Sequence, residues 1–83
     1  MAVKRDMTIV TKWRTYELVI PKDAPLVQKQ ETKRAFYAGV AAILDILLQL
    51  ADPAISEREG MMVLESCRKE VVGFTREVER GAA

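Results

Sequence analysis

Residues 36–50, with the sequence FYAGVAAILDILLQL, decide the fold of this chain. Their apolar side chains recur at spacings of four, three, four and three residues. The members of this repeat are Phe36, Val40, Ile43, Leu47 and Leu50. Such spacing is typical of one face of an α-helix. Together with Pro25, which suits a first helical turn, the repeat predicts a helix over about residues 25–51.

This predicted helix is apolar on more than one side. A second set of apolar residues flanks the first and consists of Tyr37, Leu44, Leu48 and Ala51. A helix of this kind must be covered from more than one direction, and one partner helix within the chain does not suffice. We therefore expect a homo-oligomer, with a homodimer as the simplest case.

A second helix is predicted over about residues 57–80. Ser56 followed by Glu59 is a capping-box pattern, and Gly81 is a helix stop. The apolar repeat of this helix consists of Met61, Leu64, Cys67, Val71, Phe74 and Val78. Because only residues 52–55 connect the two helices, the expected fold class is mainly α, an antiparallel helical hairpin.

The N-terminal segment is rich in residues that favour strands. Residues 7–20 contain Thr, Val, Ile, Trp and Tyr, and Pro21 follows them. No Gly or Asn marks a turn, so we expect a short β or extended segment that pairs with its own copy in a dimer; a hairpin and a short helix are the alternatives. The expected organisation is one domain, 1–83, with an extended arm over 1–22 and the helical hairpin over 23–81.

The composition argues against an enzyme. The chain has no histidine and a single cysteine, Cys67, so a His-based catalytic group, an intrachain disulfide and a zinc site are excluded. Cys67 falls in the apolar repeat and is expected to be an inert thiol. We expect no catalytic residue, no metal and no cofactor. One unpaired cysteine and the lack of a long apolar run favour a cytoplasmic protein without a membrane partner.

Charge and aromatic residues are concentrated toward the N-terminus. Residues 1–37 hold eight Lys/Arg and four Asp/Glu, a net charge of +4, whereas residues 38–83 hold five and eight, a net charge of −3. Four of the five aromatic residues also lie in the first 37 positions. An anionic partner is expected there. Duplex nucleic acid is not expected, because the whole chain is close to neutral.

Two short basic and aromatic clusters are the candidate ligand-binding residues. They are Lys12, Trp13, Arg14 and Tyr16 in the first cluster and Lys33, Arg34 and Tyr37 in the second. Lysine and arginine neutralise phosphate, and flat rings stack on bases, so a small nucleotide-like anion is the expected ligand. In the alternative interpretation, Trp13 and Phe36 belong to the core and the cations are solvated.

Small residues line part of the first predicted helix. They are Ala35, Ala38, Gly39, Ala41 and Ala42. Glycine inside a helix costs about 1 kcal/mol relative to alanine. A close approach to Gly39, by a crossing helix or by a ligand, is therefore predicted.

The stretch RAFYAG at 34–39, followed by Glu70 and Phe74 in an E-x-x-x-F pattern, resembles small helical-hairpin proteins of phages and prophages. The likeness covers about residues 31–78, and the N-terminal segment is not part of the family pattern. The resemblance implies an anti-defence function. The leading expectation is sequestration of a nucleotide-derived immune signal; the alternatives are inhibition of a host defence complex or other host enzyme, as anti-CRISPR proteins do, and a structural or assembly function.

Overall fold

The computed structural model describes residues 7–83, and this part of the chain contains three α-helices and no β-strand. Helix α1 spans Ile9–Glu17, α2 spans Leu26–Leu50 and α3 spans Glu57–Glu79. The predicted helical fold is confirmed. The predicted bounds of α2 and α3 differ from the observed ones by no more than one residue at either end.

The prediction of an extended N-terminal segment is wrong over α1. Thr8 caps this helix: its backbone is extended, with φ −111° and ψ 151°, and its side chain accepts a hydrogen bond from the Thr11 amide at 3.2 Å. The strand preference of threonine and valine is weak and yields to tertiary packing. Strand pairing of this segment with its own copy is therefore not available over Ile9–Glu17. Residues 1–6 of the predicted arm lie outside the described residues.

Four apolar or aromatic residues in and just after α1 also have a helical spacing. They are Ile9, Trp13, Tyr16 and Ile20, at intervals of four, three and four residues. Trp13 is 4% exposed and is the only buried residue in the described part of the chain. A nine-residue helix is too short to be stable alone in water, so α1 depends on the packing of this tryptophan.

The chain divides into two units, Met1–Ile46 and Leu47–Ala83, and the division falls within α2. In the first unit, α1 packs on the N-terminal part of α2 through the rings of Trp13 and Phe36. The connection between these helices is held by Lys29, whose Nζ donates a hydrogen bond to the Lys22 carbonyl oxygen at 3.3 Å.

The second unit contains the end of α2 and all of α3. Ser56 caps α3 as predicted, since its Oγ accepts a hydrogen bond from the Glu59 amide at 3.1 Å. The hydroxyl also donates to Glu59 Oε1 at 3.1 Å. Gly81, with φ +74°, adopts the left-handed conformation that follows many helix ends.

No residue of the second unit is buried. Cys67 is half-buried, and several apolar residues of α3 are exposed. These exposed residues are Met61, Met62, Val63, Leu64, Val71, Val72, Phe74 and Val78. A substantial apolar surface of α3 is therefore open to a partner.

Between residues 7 and 83, none of the helices has both the length and the apolar character that crossing a bilayer requires.

Candidate functional site

Four aromatic side chains of the first unit form a connected group, which we call the aromatic cluster: Trp13, Tyr16, Phe36 and Tyr37. The Phe36 ring is central to it, with centroid distances of 5.4 Å to Trp13, 5.7 Å to Tyr16 and 5.7 Å to Tyr37. The rings of Trp13 and Tyr16 are 6.2 Å apart. All of these distances fall in the range of favourable ring contacts. The cluster runs from a buried ring on α1 to the exposed ring of Tyr37 on α2.

A cation lies against this cluster. The Nζ of Lys33 is 5.9 Å from the centroid of the Trp13 ring, within the distance at which a cation is attracted to an aromatic face. Lys33 is itself exposed, so its ammonium can contact both the ring and a solute. Trp13, by contrast, is enclosed by protein and has no exposed face on which a base could stack.

Lys33, Arg34 and Tyr37 line one open depression on α2, together with Gln30. We call it the α2 groove; its volume is about 310 Å³. Lys33 and Arg34 each lie three or four positions from both Gln30 and Tyr37, which makes each cation a surface neighbour of the amide and of the ring. The groove therefore offers two cations, one aromatic ring and one amide within a small area.

A carboxylate borders the groove. Glu31 Oε1 lies 3.8 Å from Arg34 Nη1, and both side chains are exposed, at 68% and 75%. A pair so exposed and so long is weak. An anionic ligand would therefore compete with Glu31 for Arg34 at little cost.

The structure does not gather all seven predicted binding residues. In an extended segment, Lys12, Arg14 and Tyr16 would share a face. This segment is helical, and residues two apart on a helix do not face each other, so Arg14 lies on a different side of α1 from Lys12. Lys12 lines a separate depression with Met7, Thr8 and Ile9. The ring of Tyr16 joins the aromatic cluster, while Arg14 is exposed.

Gln30 was missed by the sequence analysis. Its position four residues before Arg34 and three before Lys33, inside the helix predicted over 25–51, is the pattern that identifies it. An amide presents a donor and an acceptor side by side, which suits the edge of a nucleobase.

Helix α3 carries a different kind of surface. One depression on it has a volume of about 530 Å³ and is lined by Arg58, Met61, Met62, Glu65, Ser66 and Lys69. Arg68 binds Glu65 with two hydrogen bonds, from Nε at 3.0 Å and from Nη2 at 2.7 Å. These bonds lower the pKa of the Glu65 carboxyl and raise that of the Arg68 guanidinium. The pair is a surface ion pair.

The predicted close approach to Gly39 is not found among the described residues. A Cβ placed on this glycine would have nothing within 4 Å. The small side chains around it therefore border open space in the isolated chain.

No protein-family model, no curated protein and no solved structure matches this chain.

Proposed function

We propose that this chain is a non-enzymatic binding protein that holds a nucleotide-derived anion in the α2 groove and acts by sequestering it. The supporting observation is that Lys33, Arg34 and Tyr37 line the same depression, at one end of the aromatic cluster. Two adjacent cations complement a phosphate, and an exposed ring offers a surface for a base. No residue is assigned a covalent or proton-transfer step.

The mechanism in this proposal is stoichiometric. Each groove removes one ligand from solution, and the ligand leaves chemically unchanged. In a host cytoplasm, removal of a nucleotide immune signal would make the chain an anti-defence protein of the phage type. Lys33, Arg34 and Tyr37 contact the ligand, and Trp13 supports the groove from α1.

The homo-oligomer, with each chain folded as an antiparallel hairpin, belongs to the same proposal. The apolar repeat of α3 continues with spacings of three, four, three and four residues at Leu64, Cys67, Val71, Phe74 and Val78. This is the heptad spacing of a seam between helices. Val71 and Phe74 are 66% and 59% exposed, so the C-terminal half of the seam is uncovered.

A second copy of the chain is the occupant that we propose for this seam. Each copy supplies an identical apolar repeat, and a symmetric pair of identical surfaces is the commonest oligomer interface. A host protein on the same seam is the alternative, which would make the chain a protein–protein inhibitor.

Calorimetric titration tests whether the α2 groove binds a nucleotide-derived anion. The purified chain is titrated with a panel of cyclic nucleotides and ADP-ribose derivatives, and the variant Lys33→Ala/Arg34→Ala is titrated in parallel. We expect at least one member to bind the wild type and to bind the variant about a hundredfold or more weakly, because each charge-assisted contact contributes about 1.5–3 kcal/mol.

The matched control is Lys69→Ala/Arg76→Ala. These two cations lie on another depression, lined by Arg68, Lys69, Val72, Gly73 and Arg76, which has no aromatic side chain. The control removes the same charge and should bind as the wild type does. An equal loss in both variants would show non-specific attraction, and an absence of heat across the panel would reject the ligand class.

Light scattering measures the mass of the protein in solution and so tests whether a second copy of the chain covers the α3 seam. We expect the wild type to have at least twice the 9.4 kDa mass of one chain, and Phe74→Asp to dissociate it. Leu18→Asp is the control, since Leu18 is 84% exposed and lies outside α3. A folded wild-type monomer at high concentration would reject self-association and leave a host protein or an assembly partner as the occupant.

A further inference from the structure

The contact between Lys33 and Trp13 connects the α2 groove to α1. Lys33 both lines the groove and places its Nζ 5.9 Å from the centroid of the Trp13 ring. The ring is in turn fixed by Phe36, whose centroid is 5.4 Å away at an interplanar angle of 59°. Because Trp13 is 4% exposed, its orientation is set by packing before any ligand arrives.

We propose that Trp13 is a positioning residue, which holds the Lys33 ammonium at the α2 groove for an anionic ligand. This inference rests on the function proposed above. A free lysine side chain loses considerable rotamer entropy when it is immobilised on a ligand. A lysine that is already held against an aromatic face loses less rotamer entropy when it binds a ligand. The free energy of binding is therefore more favourable.

The ammonium remains able to bind an anion in this arrangement. Its attraction to the ring is electrostatic and comes from the ring face. The same nitrogen carries three N–H donors, and the exposed Lys33 side chain lines the groove. The tryptophan therefore acts through Lys33 and does not touch the ligand.

Between residues 7 and 83, Arg34 has no comparable support. Its partner there is the exposed carboxylate of Glu31, at 3.8 Å, on the same helix. The two cations of the groove thus differ, because Lys33 contacts a ring on another helix, whereas Arg34 pairs weakly within its own helix. Substitution of Trp13 should therefore weaken binding through Lys33 and leave the contribution of Arg34 unchanged.

A double-mutant cycle tests the inference with cyclic di-AMP and ADP-ribose as probes. Trp13→Leu keeps an apolar side chain in the core but removes the ring, and Trp13→Phe keeps a ring. We expect Trp13→Leu to weaken binding about three- to tenfold and Trp13→Phe to weaken it less. Circular dichroism establishes that each variant is helical.

The decisive comparison is Trp13→Leu in the Lys33→Ala background. If Trp13 acts through Lys33, this second substitution has no further effect on affinity there. If Trp13 has a purely structural role, Trp13→Leu lowers the affinity equally in the wild-type and Lys33→Ala backgrounds, and the inference is overturned. The same substitution, Trp13→Leu, is also made in the Arg34→Ala background as the matched control. There it should still weaken ligand binding by about the full three- to tenfold.

A measurement without ligand separates this inference from the proposed function. The ring current of Trp13 should move the NMR signals of the Lys33 ε-methylene protons upfield in the wild type, and Trp13→Leu should abolish that shift. An absent shift in the wild type overturns the positioning role even if nucleotides bind. A present shift with no binding of either probe instead contradicts the proposed ligand and leaves Trp13 without a role in recognition.

Discussion

The rings of Trp13 and Phe36 lie 5.4 Å apart at an interplanar angle of 59°, and this contact joins α1 to α2. The tryptophan is the only buried side chain between residues 7 and 83. Phe36 in turn contacts Tyr37, a residue of the α2 groove, with ring centroids 5.7 Å apart. The same contact therefore stabilises the N-terminal helix and supports the candidate binding surface.

Trp13→Ala should destabilise the first unit strongly. Removing a buried aromatic side chain costs about 3–5 kcal/mol, and α1 is too short to persist without it. Urea denaturation followed by circular dichroism measures the loss. Leu18→Ala, at a position that is 84% exposed, should change the free energy of unfolding by no more than about 0.5 kcal/mol. Equal effects of the two substitutions would show that Trp13 is not a core residue in solution.

Glu31→Gln should strengthen anion binding. It removes the carboxylate that lies 3.8 Å from Arg34 and also lowers the negative charge beside the α2 groove. We expect a gain in affinity of about two- to fivefold at low salt, because an exposed pair contributes up to about 1 kcal/mol. Titration calorimetry measures this gain, and it should shrink as salt is raised. Glu57→Gln, on α3, is the control; a gain of the same size there would indicate a general effect of net charge.

Gly39→Ala should stabilise the helix without changing the oligomer. Alanine is favoured over glycine in a helix interior by about 1 kcal/mol, and nothing lies within 4 Å of the added Cβ. Thermal unfolding and light scattering measure the two properties. A fall in the oligomer mass would instead show that another copy approaches α2 at this glycine, which is the close contact that the sequence predicts.

The Glu65–Arg68 pair should give a small pH dependence. The hydrogen bonds from Arg68 and its charge lower the pKa of Glu65, against a smaller opposing effect of desolvation. Since the pKa is lower in the folded chain, the stabilisation is complete above the unfolded pKa and is lost as the pH falls through the folded pKa. NMR titration of the carboxyl carbon measures the shift. Arg68→Gln should return the pKa toward its ordinary value, whereas Lys69→Gln should leave it unchanged.

The sequence predicts the two long helices well because their signals are local and repeated. The spacing of apolar residues from Phe36 to Leu50 and the Ser56 cap define α2 and α3 almost to the residue. The first helix is mispredicted because Thr and Val favour strands, while the competing spacing of Ile9, Trp13, Tyr16 and Ile20 is carried by only four residues.

The candidate site is predictable only in part, because the sequence indicates contacts within one helix but not contacts between helices. Lys33, Arg34 and Tyr37 are neighbours on one helix, so their spacing brings them together in the sequence and in the structure. The contact between Trp13 and Lys33 joins two helices, so the local spacing of residues does not predict it. Arg14 would share a face with Lys12 and Tyr16 only in an extended segment, and because this segment is helical, Arg14 lies on a different side of α1 from Lys12.

The most direct test of sequestration is the fate of the ligand after binding. A nucleotide that binds in calorimetry is mixed with an excess of the chain, the free nucleotide is separated by ultrafiltration, and the protein is then denatured and the released material quantified by chromatography. If the chain sequesters its ligand, free nucleotide disappears in proportion to the number of grooves and is recovered intact after denaturation. Conversion of the nucleotide to a product, or depletion that is unchanged in Lys33→Ala/Arg34→Ala, would contradict this expectation.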